Sequence, residues 1–117
     1  MAKIYPKSKR TIRHYMNVGA KVRLCKASLM LAYAALGTVL KCDDIRKLCN
    51  HMYAMDKLFE KAYDMMLQDF PPDTCQKDKM ELSSIFHGAL TNTAPSGTAT
   101  NAEVIELARK YANGLFE

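Results

Sequence analysis

The chain has 117 residues, 49% of them hydrophobic and 25% charged, with no Trp and a formal net charge of +5. That balance excludes a disordered chain and suits a single domain, 1–117, able to bury a core without disulfides or metal. The longest uncharged stretch, 27–40, is 14 residues long, short of the roughly 20 needed to span a bilayer, so no membrane partner is expected.

Residues 1–7 are basic and interrupted by Pro6, which predicts an extended arm. No apolar run follows directly, so a cleaved secretory signal is not expected and the location is expected to be cytoplasmic. The four cysteines, Cys25, Cys42, Cys49 and Cys75, then belong to a reducing compartment as thiols. None forms a C-x-x-C pair, and neither a metal nor any other cofactor is expected.

Tyr15, Val18, Val22, Cys25, Leu29, Ala32, Leu36 and Val39 recur in steps of three and four. Those steps return to one side of an α-helix. The spacing predicts a helix over about 8–40, capped by Ser8, with Gly19 as a weak point where 10–17 could separate. Ile45, Leu48, Met52, Met55, Phe59, Ala62 and Met66 repeat the pattern and predict a helix over about 43–69, opened by Asp43 or Asp44 and stopped by Pro71 and Pro72. Only Lys41, Cys42 and Asp43 separate the two stripes. A joint that short predicts a long antiparallel helical hairpin, with Cys25 facing Phe59.

A third helix is expected after Asp73, whose pairing with Gln76 resembles a capping box, with Leu82, Ile85, Phe86 and Ala89 facing inward and His87 beside them. Residues 91–99 form a polar connector without phosphate-loop spacing. Thr100 and Glu103 form a capping box for a last helix carrying Val104, Leu107, Ala108 and Tyr111 on one side and closed by Asn113 and Gly114. The expected fold is all-α, a four-helix bundle built on the hairpin. The stretch 27–36, from Ala27 to Leu36, is apolar on nearly every side. It needs helices three and four over it or a second copy of the chain, a homo-oligomer contact. The several methionines suit an irregular core, while Leu58 and Met65 lie off the predicted seam and suit either a cover for helix three or an exposed contact.

Charge is distributed unevenly. Lys3, Lys7, Lys9, Arg10, Arg13, Lys21, Arg23, Lys26 and Lys41 precede the first acid, Asp43, and the remainder holds eight cations and all twelve acids, a net of −4. On a helical wheel Lys9, Arg13 and Arg23 fall nearly opposite the apolar stripe, with Arg10, Lys21 and Lys26 on its flanks. Cations near a helix N-terminus oppose its macrodipole, so local helix physics does not ask for them. Lys7, Lys9, Arg10, Arg13, Lys21, Arg23 and Lys26 are therefore the candidate site for an anionic partner. The competing reading is a solvated helix back that pairs with acids of later helices.

The function expected from this strip is non-enzymatic: engagement of nucleic acid, or of a machine that contains it, through phosphate contacts. The alternative is a regulator or inhibitor docking on an acidic protein surface. No catalytic residue is assigned. One spacing, Arg46 to His51, resembles the R-x-x-x-x-H pattern of the HEPN ribonucleases, which are small helical bundles that dimerise. The resemblance covers those two positions; it implies a ribonuclease with Arg46 and His51 in its motif. Lys47 stands where that family usually has a small polar residue, and the motif lies in the second helix, not near the last.

Overall fold

The computed structural model describes residues 4–72, 79–87 and 99–115, and all secondary structure among them is helical. Residues 7–9 form a single 3-10 turn after Pro6. Four α-helices follow: α1 (Ile12–Leu36), α2 (Cys42–Asp69), α3 (Lys79–Phe86) and α4 (Ala99–Gly114).

The start of α1 differs from the expectation. Ser8 is spent in the 3-10 turn, Arg10 leaves helical geometry, and Thr11 becomes the cap, its Oγ1 accepting from the His14 N–H at 3.1 Å. A Ser/Thr oxygen at this position satisfies one of the orphan N–H groups of the first turn. From there α1 runs unbroken through Gly19 for 25 residues, about 38 Å. Gly19 is buried, and a Cβ there would overlap the Ile85 carbonyl oxygen. Its purpose is close approach of α3 to α1, not a bend.

The other joints follow local chemistry. The helix ends at Leu36, short of the expected 40, and the turn 37–40 satisfies its last carbonyls: Gly37 N–H donates to Tyr33 O at 3.0 Å and Thr38 Oγ1 donates to Ala35 O at 2.7 Å. Asp43 and Asp44 lie inside the first turn of α2, where they complement the helix dipole, and are not the N-cap. Phe70, Pro71 and Pro72 end α2 as expected. Helix α4 begins one residue early, at Ala99, so Thr100 is not its cap; the Thr100 hydroxyl donates to Glu81 Oε2 at 3.0 Å. The start of the third helix at Asp73 and Gln76, Ala89, and the connector up to residue 98 lie outside the described residues.

Contacts between α1 and α2 run in opposite sequence order: Tyr15 meets Asp69, Lys26 meets Phe59 and Tyr33 meets Cys49. The core, however, is not spread along them. It comprises Tyr15, Met16 and Ala20 of α1, Met66 of α2, Leu82, Ile85 and Phe86 of α3, and Val104, Leu107 and Ala108 of α4. Each large apolar side chain there contributes about 1.5–3 kcal/mol by leaving water. Phe70 and Tyr63 close it with edge-on ring contacts to Tyr15 and Phe86 at 6.1 Å.

This places the core at one end of the molecule. Helices α3 and α4 cover the first half of α1, and between Leu24 and Met65 no side chain is buried. Of the two covers expected for 27–36, later helices or a second copy, the described parts of α3 and α4 do not supply one, because the close approach at Gly19 seats α3 lower on α1. Extents of 49 × 31 × 30 Å reflect a packed end and a projecting end.

Candidate interaction surfaces

The seven cations expected to share one outward strip divide into two groups. Three are drawn inward. Arg10 makes a two-point ion pair with Asp69, Nε to Oδ2 at 2.8 Å and NH2 to Oδ1 at 3.3 Å, while the Tyr15 hydroxyl donates to the same Oδ2 at 2.5 Å. The Arg10 guanidinium, then the Tyr15 hydroxyl, hold the Asp69 carboxyl below its usual range. Burial, then the Asp69 carboxylate, push the Tyr15 phenol up to about 12. This cluster ties the entry of α1 to the exit of α2.

Arg23 departs furthest from its expected place. Instead of lying on the solvent side it is 2% exposed, with NH1 donating to Ser84 O at 2.8 Å and Asn101 Oδ1 at 2.7 Å. Burial lowers its pKa, yet an arginine keeps its proton under any ordinary condition. Lys26 Nζ donates to Phe86 O at 3.3 Å and lies 5.5 Å from the Phe59 ring centroid. Ser84 and Phe86 carry C-terminal carbonyls of α3, where the helix dipole is negative. Two cations that α1 does not need for itself thus finish the last turn of its neighbour.

The remaining four are exposed. Lys21 sits over the Tyr111 ring at 4.7 Å, and Tyr111 in turn donates to Asn17 Oδ1 at 3.0 Å. Arg13 reaches Glu103 at 3.6 Å across the surface, a separation at which an exposed pair is worth little. Lys7 and Lys9 flank the 3-10 turn. The outward, unburied part of the strip therefore reduces to Lys7, Lys9 and Arg13, with Lys21 engaged beside them.

Arg46 and His51 are both exposed on α2, and Arg46 pairs with Asp43 at 3.5 Å. Five helical residues separate them, about 140° around the axis, so within one chain they point to different sides. Cys42 and Cys49 are free thiols, and the described residues hold no group of three metal-ligating side chains. Cys25, expected against Phe59, is half-buried. Cys49 accepts Tyr33's company: their hydrogen bond raises the Tyr33 pKa.

A second set of exposed side chains is apolar, uncharged along 27–40 of α1 and its turn but set among charged residues on α2. Met30, Leu31, Val39 and Leu40 at the far end of α1 and its turn, and Tyr53 and Leu58 on α2, are exposed large apolar residues, Leu31 to 76% and Leu58 to 66%. Ala32, Ala34 and Ala35 lie open among them. Leu58 was legible as an off-seam residue and 27–36 as an over-apolar stretch; Tyr53 carried no periodic signal that would have singled it out. No described helix is long and apolar enough to cross a membrane. Comparison of the chain with protein-family models, with curated proteins and with solved structures finds no match to any of them.

Proposed function

We propose that the chain is a small non-enzymatic protein-binding module in which α1 and α2 form an antiparallel hairpin, rooted in the α3–α4 core and presenting its far half to a protein partner. One observation carries this reading: 24–65 contains no buried side chain, yet holds Met30, Leu31, Tyr53 and Leu58 in open solvent. On α1, Met30 and Leu31 share their face with the open Ala34 and Ala35 one turn on, and an exposed apolar stretch of this kind marks an interaction site.

The outward Lys7, Lys9 and Arg13 favour a second reading, contact with nucleic-acid phosphates. Three cations would give a salt slope of roughly −3, about half of what all seven would give. With Arg10, Arg23 and Lys26 committed to carboxylate and carbonyl oxygens, the apolar surface is the stronger candidate.

Affinity capture with nuclease treatment separates the two. A partner that survives nuclease, is lost with Leu31→Glu plus Tyr53→Glu and is kept with Lys7→Glu plus Lys9→Glu plus Arg13→Glu supports the protein-binding reading. The reverse pattern returns the function to the basic strip.

A further inference from the structure

We infer that the packed end carries a site for single-stranded nucleic acid, built on the stacked rings of Tyr5 and His14 and on Lys7, Lys9 and Arg13 in the loop they close. The inference goes beyond the protein-binding reading, which concerns the opposite half of α1 and α2; it rests on the phosphate-contact reading and names the form of strand. Ring geometry is the first support. The Tyr5 and His14 centroids are 4.4 Å apart and the rings lie 18° from parallel. Their contact folds residues 5–14 back on themselves around the 3-10 turn at 7–9. Tyr5 is still 47% exposed, the state of a flat ring covered on one face. An open π-face of this kind lets a nucleobase continue the stack, whatever its sequence. The platform is also held in place: Arg10, paired with Asp69 at the exit of α2, reaches the Tyr5 carbonyl through NH1 at 3.4 Å.

Charge is the second support. Lys7, Lys9 and Arg13 all fall within the closed loop and all are exposed. The acids described near them are already engaged: Asp69 by Arg10 and the Tyr15 hydroxyl, Glu103 by Arg13 and Glu106 by Arg109. The Arg13–Glu103 pair, 3.6 Å long and exposed on both sides, is weak enough for a phosphate to displace. A single strand brings phosphates and unpaired bases together, and so uses cations and rings at once. A duplex brings the phosphates but keeps its bases stacked within. An acidic protein surface would use the cations and leave the parallel rings idle.

The test is fluorescence anisotropy with labelled oligothymidylate and oligouridylate, each roughly 10 nucleotides long, beside an abasic strand and a duplex of equal length. The intact chain should bind the base-bearing single strands more tightly than the abasic strand or the duplex, and the tighter of the two names the sugar. Contact through Lys7, Lys9 and Arg13 should give a salt slope of about −2 on a single strand. Tyr5→Ala should weaken binding about 5- to 100-fold with helicity by circular dichroism unchanged, and Tyr5→Phe, which keeps the ring, should bind like the wild type. An abasic strand or duplex bound as tightly as oligothymidylate and oligouridylate overturns the inference and leaves the phosphate-contact reading standing, as does a Tyr5→Ala variant equal to the wild type. No binding of any strand at low salt overturns both. The protein-binding reading is tested separately, because Leu31 and Tyr53 lie outside this site.

Discussion

The two halves of α1 share one helix and one uninterrupted hydrogen-bond ladder, yet they live in different surroundings. From Ile12 to Arg23 the helix is pressed between α3 and α4, with Tyr15, Met16, Gly19, Ala20 and Arg23 all buried. From Leu24 onward it reaches α3 through Lys26 on the Phe86 carbonyl, and no residue is buried. Apolar content does not explain the difference, since the far half is the more apolar of the two. What differs is shape. Gly19 and Ala20 leave a shallow place for the Ile85 backbone, and Arg23 and Lys26 supply donors for the carbonyls at the end of α3. A helix docks where its ends are satisfied as well as where its oily side fits.

That contrast can be broken most forcefully at the packed end. Phe86→Ala should cost about 3–5 kcal/mol, the usual loss for emptying a large core site, read by urea unfolding. Arg23→Ala should cost about 2–3 kcal/mol, because Ser84 O and Asn101 Oδ1 both lose a charged donor within the core. Lys9→Ala, on the exposed turn, should stay within about 0.5 kcal/mol. An equal effect for Arg23 and Lys9 would mean that the basic residues are all solvent-facing after all.

Gly19→Ala sharpens the same point in a smaller step. Alanine should gain about 1 kcal/mol in helix propensity. Its methyl meets the Ile85 carbonyl, which is backbone and cannot turn away, so the loss from overpacking, about 1–3 kcal/mol, should outweigh the gain. A variant more stable than wild type would show that α3 is free to shift. At the bare end Leu31→Ala, measured at dilution so that association does not contribute, should change stability by less than about 0.5 kcal/mol.

Acid supplies the mildest probe. His87, which sits 3.3 Å from Glu60 and edge-on to Tyr63, has its pKa lowered below 6.5 by burial and then by Lys26, against the pull of Glu60. The unfolded chain therefore takes up this proton first. Its contribution to stability is complete above 6.5 and declines as pH falls from there to the folded value. The Asp69 contribution is present above 3.8 and is lost only as pH falls through its lower folded value. Urea midpoints should thus slip as pH falls below 6.5, and His87→Gln should flatten that slope while leaving the more acidic one. An unchanged slope in the variant would assign the effect elsewhere.

Much of this was legible beforehand. Steps of three and four placed α1 and α2, the two prolines stopped α2, and Leu82, Ile85, Phe86, Val104, Leu107 and Ala108 were chosen as inward-facing and are buried. The basic strip was less legible. A helical wheel treats every position away from the stripe as solvent, but Arg23 lies where α3 ends, and its long stem and planar head reach carbonyls that a wheel does not contain. The apolar stretch 27–36 was recognised as needing cover, and the choice between later helices and another copy could not be made from one chain.

Periodicity and the breaking residues are local properties, written in the order of the side chains, so helix number, the end of α2 and the inward faces of α3 and α4 followed from the chain itself, whereas the ends of α1 and the exposure of Ala32 and Val39 on its stripe did not. Which half of α1 would be covered depended on the approach of two backbones at Gly19 and Ile85 and on where the last carbonyls of α3 would find donors. Those are relations between segments some sixty residues apart, and only the assembled molecule puts them side by side.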